Sequence, residues 1–189
     1  SDSAAMGDDW TTPKGGANAA HFSGLTDINP GNVGRLGLAW SYDLGSSRVQ
    51  EATPVVLDGV MYTSGNLGRT YALNAATGEE LWTFEPEVDM QANRGACCDQ
   101  GNRGVAVANG KVMVAALDGW LYALDAKTGK VAWRNRSVGK GAVTYADGHV
   151  YLRSEGGRVA LVQASTTAYK QTGVFAQPQR SRRPAWPHP

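Results

Sequence analysis

The sequence predicts an all-β fold, a partial β-propeller built of four-stranded antiparallel blades, and three observations predict it. A segment recurs at an offset of 51 residues, each copy carries Asp-Gly or Asn-Gly between two apolar runs, and no stretch has helical periodicity. The repeat is plain when Ala72-Leu73-Asn74-Ala75-Ala76-Thr77-Gly78-Glu79-Glu80-Leu81-Trp82 is set against Ala123-Leu124-Asp125-Ala126-Lys127-Thr128-Gly129-Lys130-Val131-Ala132-Trp133. Asp58-Gly59 and Asn109-Gly110 stand at the same offset.

Residues 1–35 read as a lead-in segment. Its first seven residues show neither the charged start nor the apolar run of a signal peptide, as in a mature, already cleaved chain. Gly37-Leu38-Ala39-Trp40-Ser41-Tyr42 reads as a single last strand. In the first repeat, Val55–Leu57 pairs with Val60–Thr63 across Asp58-Gly59, because a type I′ turn needs positive φ at both central residues. Thr70–Leu73 is the third strand, and a Thr-Gly turn leads into a fourth that ends in Trp82. The second repeat reads the same way, with Val105–Ala108, Lys111–Ala115, Trp120–Leu124 and a last strand ending in Trp133. A third copy starts at Val143 and runs through Asp147-Gly148, Val150–Leu152 and Val159–Val162, but it lacks the Thr-Gly…Trp ending. The chain therefore divides into the lead-in (1–35), an orphan strand with two blades (36–135), and a partial third blade with a Pro- and Arg-rich tail (136–189).

Composition narrows the function. Hydrophobic residues at 42 % and charged residues at 19 % are globular proportions. No run of about 18 apolar residues is present, so no transmembrane helix is expected. A formal net charge of +1 argues against a nucleic-acid partner. The four basic residues from Lys170 onward meet no acidic one, which leaves a mildly acidic body and a basic tail. His21, His149 and His188 are scattered, and no Cys-x-x-Cys, haem-attachment or phosphate-cradling Gly-Lys motif occurs. An open arc of blades leaves unpaired strand edges, so self-association or completion by a partner chain is expected.

The motif Ala-x-Asn/Asp-Ala-x-Thr-Gly-x-x-x-Trp resembles the tryptophan-docking motif of the quinoprotein alcohol dehydrogenases, which use pyrroloquinoline quinone (PQQ). The likeness extends to Glu51-Ala52-Thr53-Pro54, to Arg94-Gly95-Ala96-Cys97-Cys98-Asp99 with Asn102-Arg103-Gly104 after it, and to the lead-in His21-Phe22-Ser23-Gly24-Leu25-Thr26-Asp27-Ile28-Asn29. Beyond residue 137 the sequence looks more like PQQ-like propeller repeats without a demonstrated cofactor. The resemblance implies an eight-bladed ring, of which this chain supplies a part. Read physically, each docking indole is a large apolar wedge between neighbouring blades, and Trp120 is a packing residue.

The same resemblance implies a cofactor site made of Glu51, Cys97, Cys98 and Arg103. PQQ is a quinone bearing carboxylates, and the planar guanidinium of Arg103 suits such oxygens. By themselves, Cys97 and Cys98 are two buried thiols, half a metal site, or a strained vicinal disulfide. Adjacent Cα atoms lie ~3.8 Å apart, below the usual ~4.4–6.8 Å of a disulfide. The family implies the ring, packed against the PQQ plane, and with it an oxidising, periplasmic compartment. It also implies calcium as Lewis acid and a carboxylate base, which would come with further blades. The family's calcium-binding Glu falls where this chain has Leu152-Arg153-Ser154-Glu155-Gly156-Gly157-Arg158, so Glu155 is a carboxylate in an altered setting. Two functions follow: a portion of a periplasmic PQQ-dependent enzyme oxidising a small alcohol to an aldehyde, catalytically incomplete as this chain, or a non-catalytic propeller acting as scaffold or binding module.

Overall fold

The computed structural model describes residues 9–15, 21–91 and 99–178 of the chain. Its regular structure is three four-stranded antiparallel sheets in meander order. The first holds β1 (Val55–Leu57), β2 (Val60–Ser64), β3 (Thr70–Asn74) and β4 (Glu80–Phe84). The second holds β5 (Ala106–Ala108), β6 (Lys111–Ala115), β7 (Leu121–Asp125) and β8 (Val131–Asn135). The third holds β9 (Gly141–Ala146), β10 (His149–Ser154), β11 (Arg158–Gln163) and β12 (Gln171–Ala176). Each sheet opens with the hairpin its dipeptide demands. Asp58 and Gly59, Asn109 and Gly110, and Asp147 and Gly148 all have positive φ, as a type I′ turn requires.

The sheets stack face to face because alternate residues of the middle strands are apolar on both sides. In β6, Val112 and Val114 point at the first sheet and pack with Val55, Tyr62 and Trp82. Met113 and Ala115 of the same strand point at the third sheet and pack with Val150, Leu152 and Val162. A strand buried on both faces is a continuous apolar run, and Val112 and Val114 are fully buried.

The repeat motif builds the joint between sheets. Asn74 Oδ1 accepts from Ala76 N and Thr77 N, and Asp125 Oδ1 from Lys127 N and Thr128 N, which is the Asx turn that folds the chain from third strand to fourth. The indole of the preceding segment lies on that turn. Trp40 Nε1 donates to Ala75 O at 3.1 Å, and Trp82 Nε1 to Ala126 O at 2.9 Å.

Two expectations need correction. The third blade is not partial: β12 pairs with β11 along its length and completes a four-stranded sheet. Its turn lacks Thr-Gly, but Ser165 Oγ accepts from Thr167 N and Ala168 N, and Trp133 Nε1 docks on Ser165 O at 3.0 Å. A serine turn does the work of the Asx turn. Second, residues 37–42 form no strand and join no sheet among the described residues; Trp40 is held instead by its indole on Ala75 O. Short 3₁₀ turns occur at Val33–Arg35 and Asn66–Gly68, where no helix was expected.

Candidate functional site

In each sheet the first strand begins, and the second strand ends, at one end of the stack. The loops there carry the polar residues singled out from the sequence. The opposite end holds the tight hairpins and the docked indoles.

Glu51 lies in the irregular approach to β1, not at a strand end, and Arg103 lies in the matching approach to β5. The structure brings them together: Arg103 Nε donates to Glu51 Oε2 at 3.2 Å, with both side chains 32 % exposed. A half-buried acid–guanidinium pair spanning two blades thus sits at the approach end. Beside it, Arg48 binds Asp99 at 2.9 Å, and Gln50 Nε2 donates to Asn66 Oδ1 at 2.9 Å. These links tie residues 48–51 of the loop before β1 to their surroundings. Cys97 and Cys98 lie outside the described residues.

The loop after Arg103 needs its glycine. Gly104 has φ +112 and passes the carbonyl of Thr53, so the chain turns back toward β1 before starting β5. Its N–H meets Asn102 Oδ1 at 3.1 Å. Asn102 and Ser64 were not picked out from the sequence. The signal available was the position of Asn102 immediately before Arg103 in the quoted run.

In the third blade, Glu155 is not left open as a metal ligand. Its carboxylate binds Lys140 Nζ at 3.1 Å and its N–H donates to Lys140 O at 2.9 Å, closing the loop on itself. Trp120 is half-buried against the joint between first and second sheets, as its packing role requires. It also carries Arg134 and Arg136 at 4.9 and 5.9 Å from its ring centroid. His149 starts β10 and bonds the carbonyl of Asp147, a local turn contact. No group of three or more His, Cys, Asp or Glu comes together as a metal site among the described residues.

Stacked four-stranded sheets, each pinned to the next by an indole, with an acid–guanidinium pair on the approach loops, define an arc of a tryptophan-docked β-propeller. A family model described as glucose/ethanol/alcohol dehydrogenase, beta-propeller domain, matches residues 10–170. The chain belongs to this PQQ-type alcohol dehydrogenase family. It is 44 % identical over 178 residues to the 1-butanol dehydrogenase (cytochrome c) of Thauera butanivorans, covering 90 % of this chain and 26 % of that protein. The quinohemoprotein alcohol dehydrogenase of Comamonas testosteroni has a crystal structure that matches with TM-score 0.81 and 38 % identity, over 91 % of this chain and 28 % of that one. A europium-containing methanol dehydrogenase matches with TM-score 0.77 and 31 % identity, over 88 % of this chain and 31 % of that one. The chain spans about a quarter of the length of the curated relatives it matches.

Proposed function

We propose that this chain is a portion of a periplasmic PQQ-dependent enzyme that oxidises a small alcohol to an aldehyde, and that it supplies one side of the cofactor site. The observation that carries the reading is the Glu51–Arg103 pair, at 3.2 Å, in a chain whose relatives are alcohol dehydrogenases. The residues fit the group. Arg103 is a fixed planar cation suited to quinone or carboxylate oxygens, and Glu51 both orients it and offers an acceptor. The one-third exposure of each side chain leaves the pair accessible from the approach end.

In this reading Arg103 binds and orients the cofactor, Glu51 holds the guanidinium, and a Cys97–Cys98 disulfide provides a rigid platform, which requires an oxidising compartment. The chemistry the cofactor supplies when bound is two-electron oxidation: the alcohol loses two electrons and two protons and leaves as an aldehyde. Calcium and the proton-accepting carboxylate are assigned to the part of the relatives' length that this chain does not span. Completion of the arc by another chain, or self-association, follows from its open edges.

A second reading rests on the Lys140–Glu155 pair at 3.1 Å, which neutralises the one carboxylate offered by the third-blade glycine loop. It favours a non-catalytic scaffold. Calorimetric titration of the oxidised chain with PQQ, with and without calcium, decides between them. Saturable binding lost in Cys97→Ser supports the enzyme reading, and a folded chain that binds no PQQ in either condition supports the scaffold.

A further inference from the structure

Glu51 and Arg103 sit on irregular loops of two different blades, where no strand ladder sets their register. We infer that Asn102, held by Ser64, is the positioning residue that sets Arg103 against Glu51. The inference rests on the proposed cofactor role of Arg103 and names what builds that half-site.

The amide of Asn102 joins both blades. Its Oδ1 accepts from Ser64 Oγ at 2.7 Å and from Gly104 N at 3.1 Å, and its Nδ2 donates to Ala115 O at 2.7 Å. Ser64 is the last residue of β2 in the first blade, and Ala115 is the last of β6 in the second. The partners allow one orientation of the amide, because a backbone N–H needs the oxygen and a carbonyl needs the NH₂. Three of its hydrogen-bonding positions are thus used. A carboxylate there would lack the donor for Ala115, and an aliphatic side chain would strand a buried serine hydroxyl.

Ser64 is 1 % exposed, and its use is specific to this place. In the third blade the corresponding residue, Ser154, is also buried, but among the described residues its hydroxyl bonds N and O of Arg158 in its own turn. Ser64 reaches across to the next blade. Because Asn102 precedes Arg103 in the chain, freeing its amide frees the guanidinium's backbone anchor.

The test uses the 189-residue chain and two readouts. One is PQQ affinity by calorimetry; the other, independent of PQQ, is the rate at which phenylglyoxal modifies Arg103, followed by peptide mass spectrometry. Asn102→Ala is expected to weaken PQQ binding ~10-fold and to raise Arg103 modification several-fold. Ser64→Ala should shift both in the same direction by less, and add nothing in the Asn102→Ala background. Should Asn102→Ala not fold, Ser64→Ala carries the test alone. Ser154→Ala serves as the comparison: a lower Tm with both readouts unchanged. An Arg103 modification rate unmoved by Asn102→Ala and Ser64→Ala, or moved equally by Ser154→Ala, overturns the inference. If the parent chain binds no PQQ, the proposed function fails, while the modification rates still decide whether Asn102 positions Arg103.

Discussion

Trp82 Nε1 donates to the carbonyl of Ala126, 44 residues further along the chain, at 2.9 Å. Its ring then covers Gly129, where a Cβ would stand 2.7 Å from the indole. The same relationship joins Trp40 to Ala75 and Gly78, where the Cβ would stand 2.5 Å away. The glycine of the Thr-Gly turn is therefore required twice, by its positive φ and by the indole pressed against its Cα. Each repeat makes the wedge for the turn of the next, so the motif works only between repeats.

Gly129→Ala should cost about 2 kcal/mol or more, combining left-handed backbone strain with overpacking against Trp82. Gly110 has the same φ, +68, but open space where its Cβ would be. Gly110→Ala should cost only about 1 kcal/mol. Urea denaturation of both variants isolates the indole contact, and equal losses would remove it from the account.

Glu51→Gln separates a structural from a functional pair. With both partners about one-third exposed, losing the ion pair should change stability by less than about 1 kcal/mol. PQQ affinity should nevertheless fall several-fold, because Arg103 loses its orienting carboxylate. A drop in stability of several kcal/mol with unchanged PQQ binding would make the pair a purely structural clamp.

Asp125 carries a pH dependence. Hydrogen bonds from Lys111, at 3.1 Å, and from Thr128 hold its carboxyl below the ordinary carboxylate range. A depressed native pKa means that the unfolded chain takes up the proton first as pH falls. Its contribution is thus present above about pH 4 and is lost as pH drops through the lower native midpoint. Asp125→Asn should keep the turn, as Asn74 does in the first repeat, and abolish this part of the acid sensitivity. Carboxyl NMR titration checks the direction, and a midpoint at or above about 3.9 contradicts it.

Self-association should be driven by apolar surface and strand edges rather than charge. Leu38 is 84 % exposed in the segment 37–42 that joins no sheet among the described residues, and Phe22 is 70 % exposed in the lead-in. Sedimentation velocity is expected to show concentration-dependent assembly that resists salt and weakens in Leu38→Lys. A monomer at all concentrations would contradict the expectation.

The sequence alone determined the hairpins, the blade repeat and the family, because each depends on local chemistry. Asp-Gly and Asn-Gly dictate positive φ, and Asn74 and Asp125 fold their own turns through neighbouring amides. The predictions for the first three strands of the first two blades hold to within a residue, as in Val60–Ser64 and Leu121–Asp125, while the fourth strands run two residues past Trp82 and Trp133, to Phe84 and Asn135. It did not reveal β12, whose Gln171–Ala176 is mostly exposed and lacks apolar alternation. That strand exists because β11 offers it a hydrogen-bonding edge and Ser165 supplies the turn. Nor could the sequence decide that Glu155 would be taken by Lys140, or that Ser64 would reach Asn102 while Ser154 closes its own loop. Glu51 and Arg103 lie 52 residues apart in the chain. Their meeting depends on the separation of two stacked sheets, which is set by the side chains packed between them. Only the tertiary structure decides that distance.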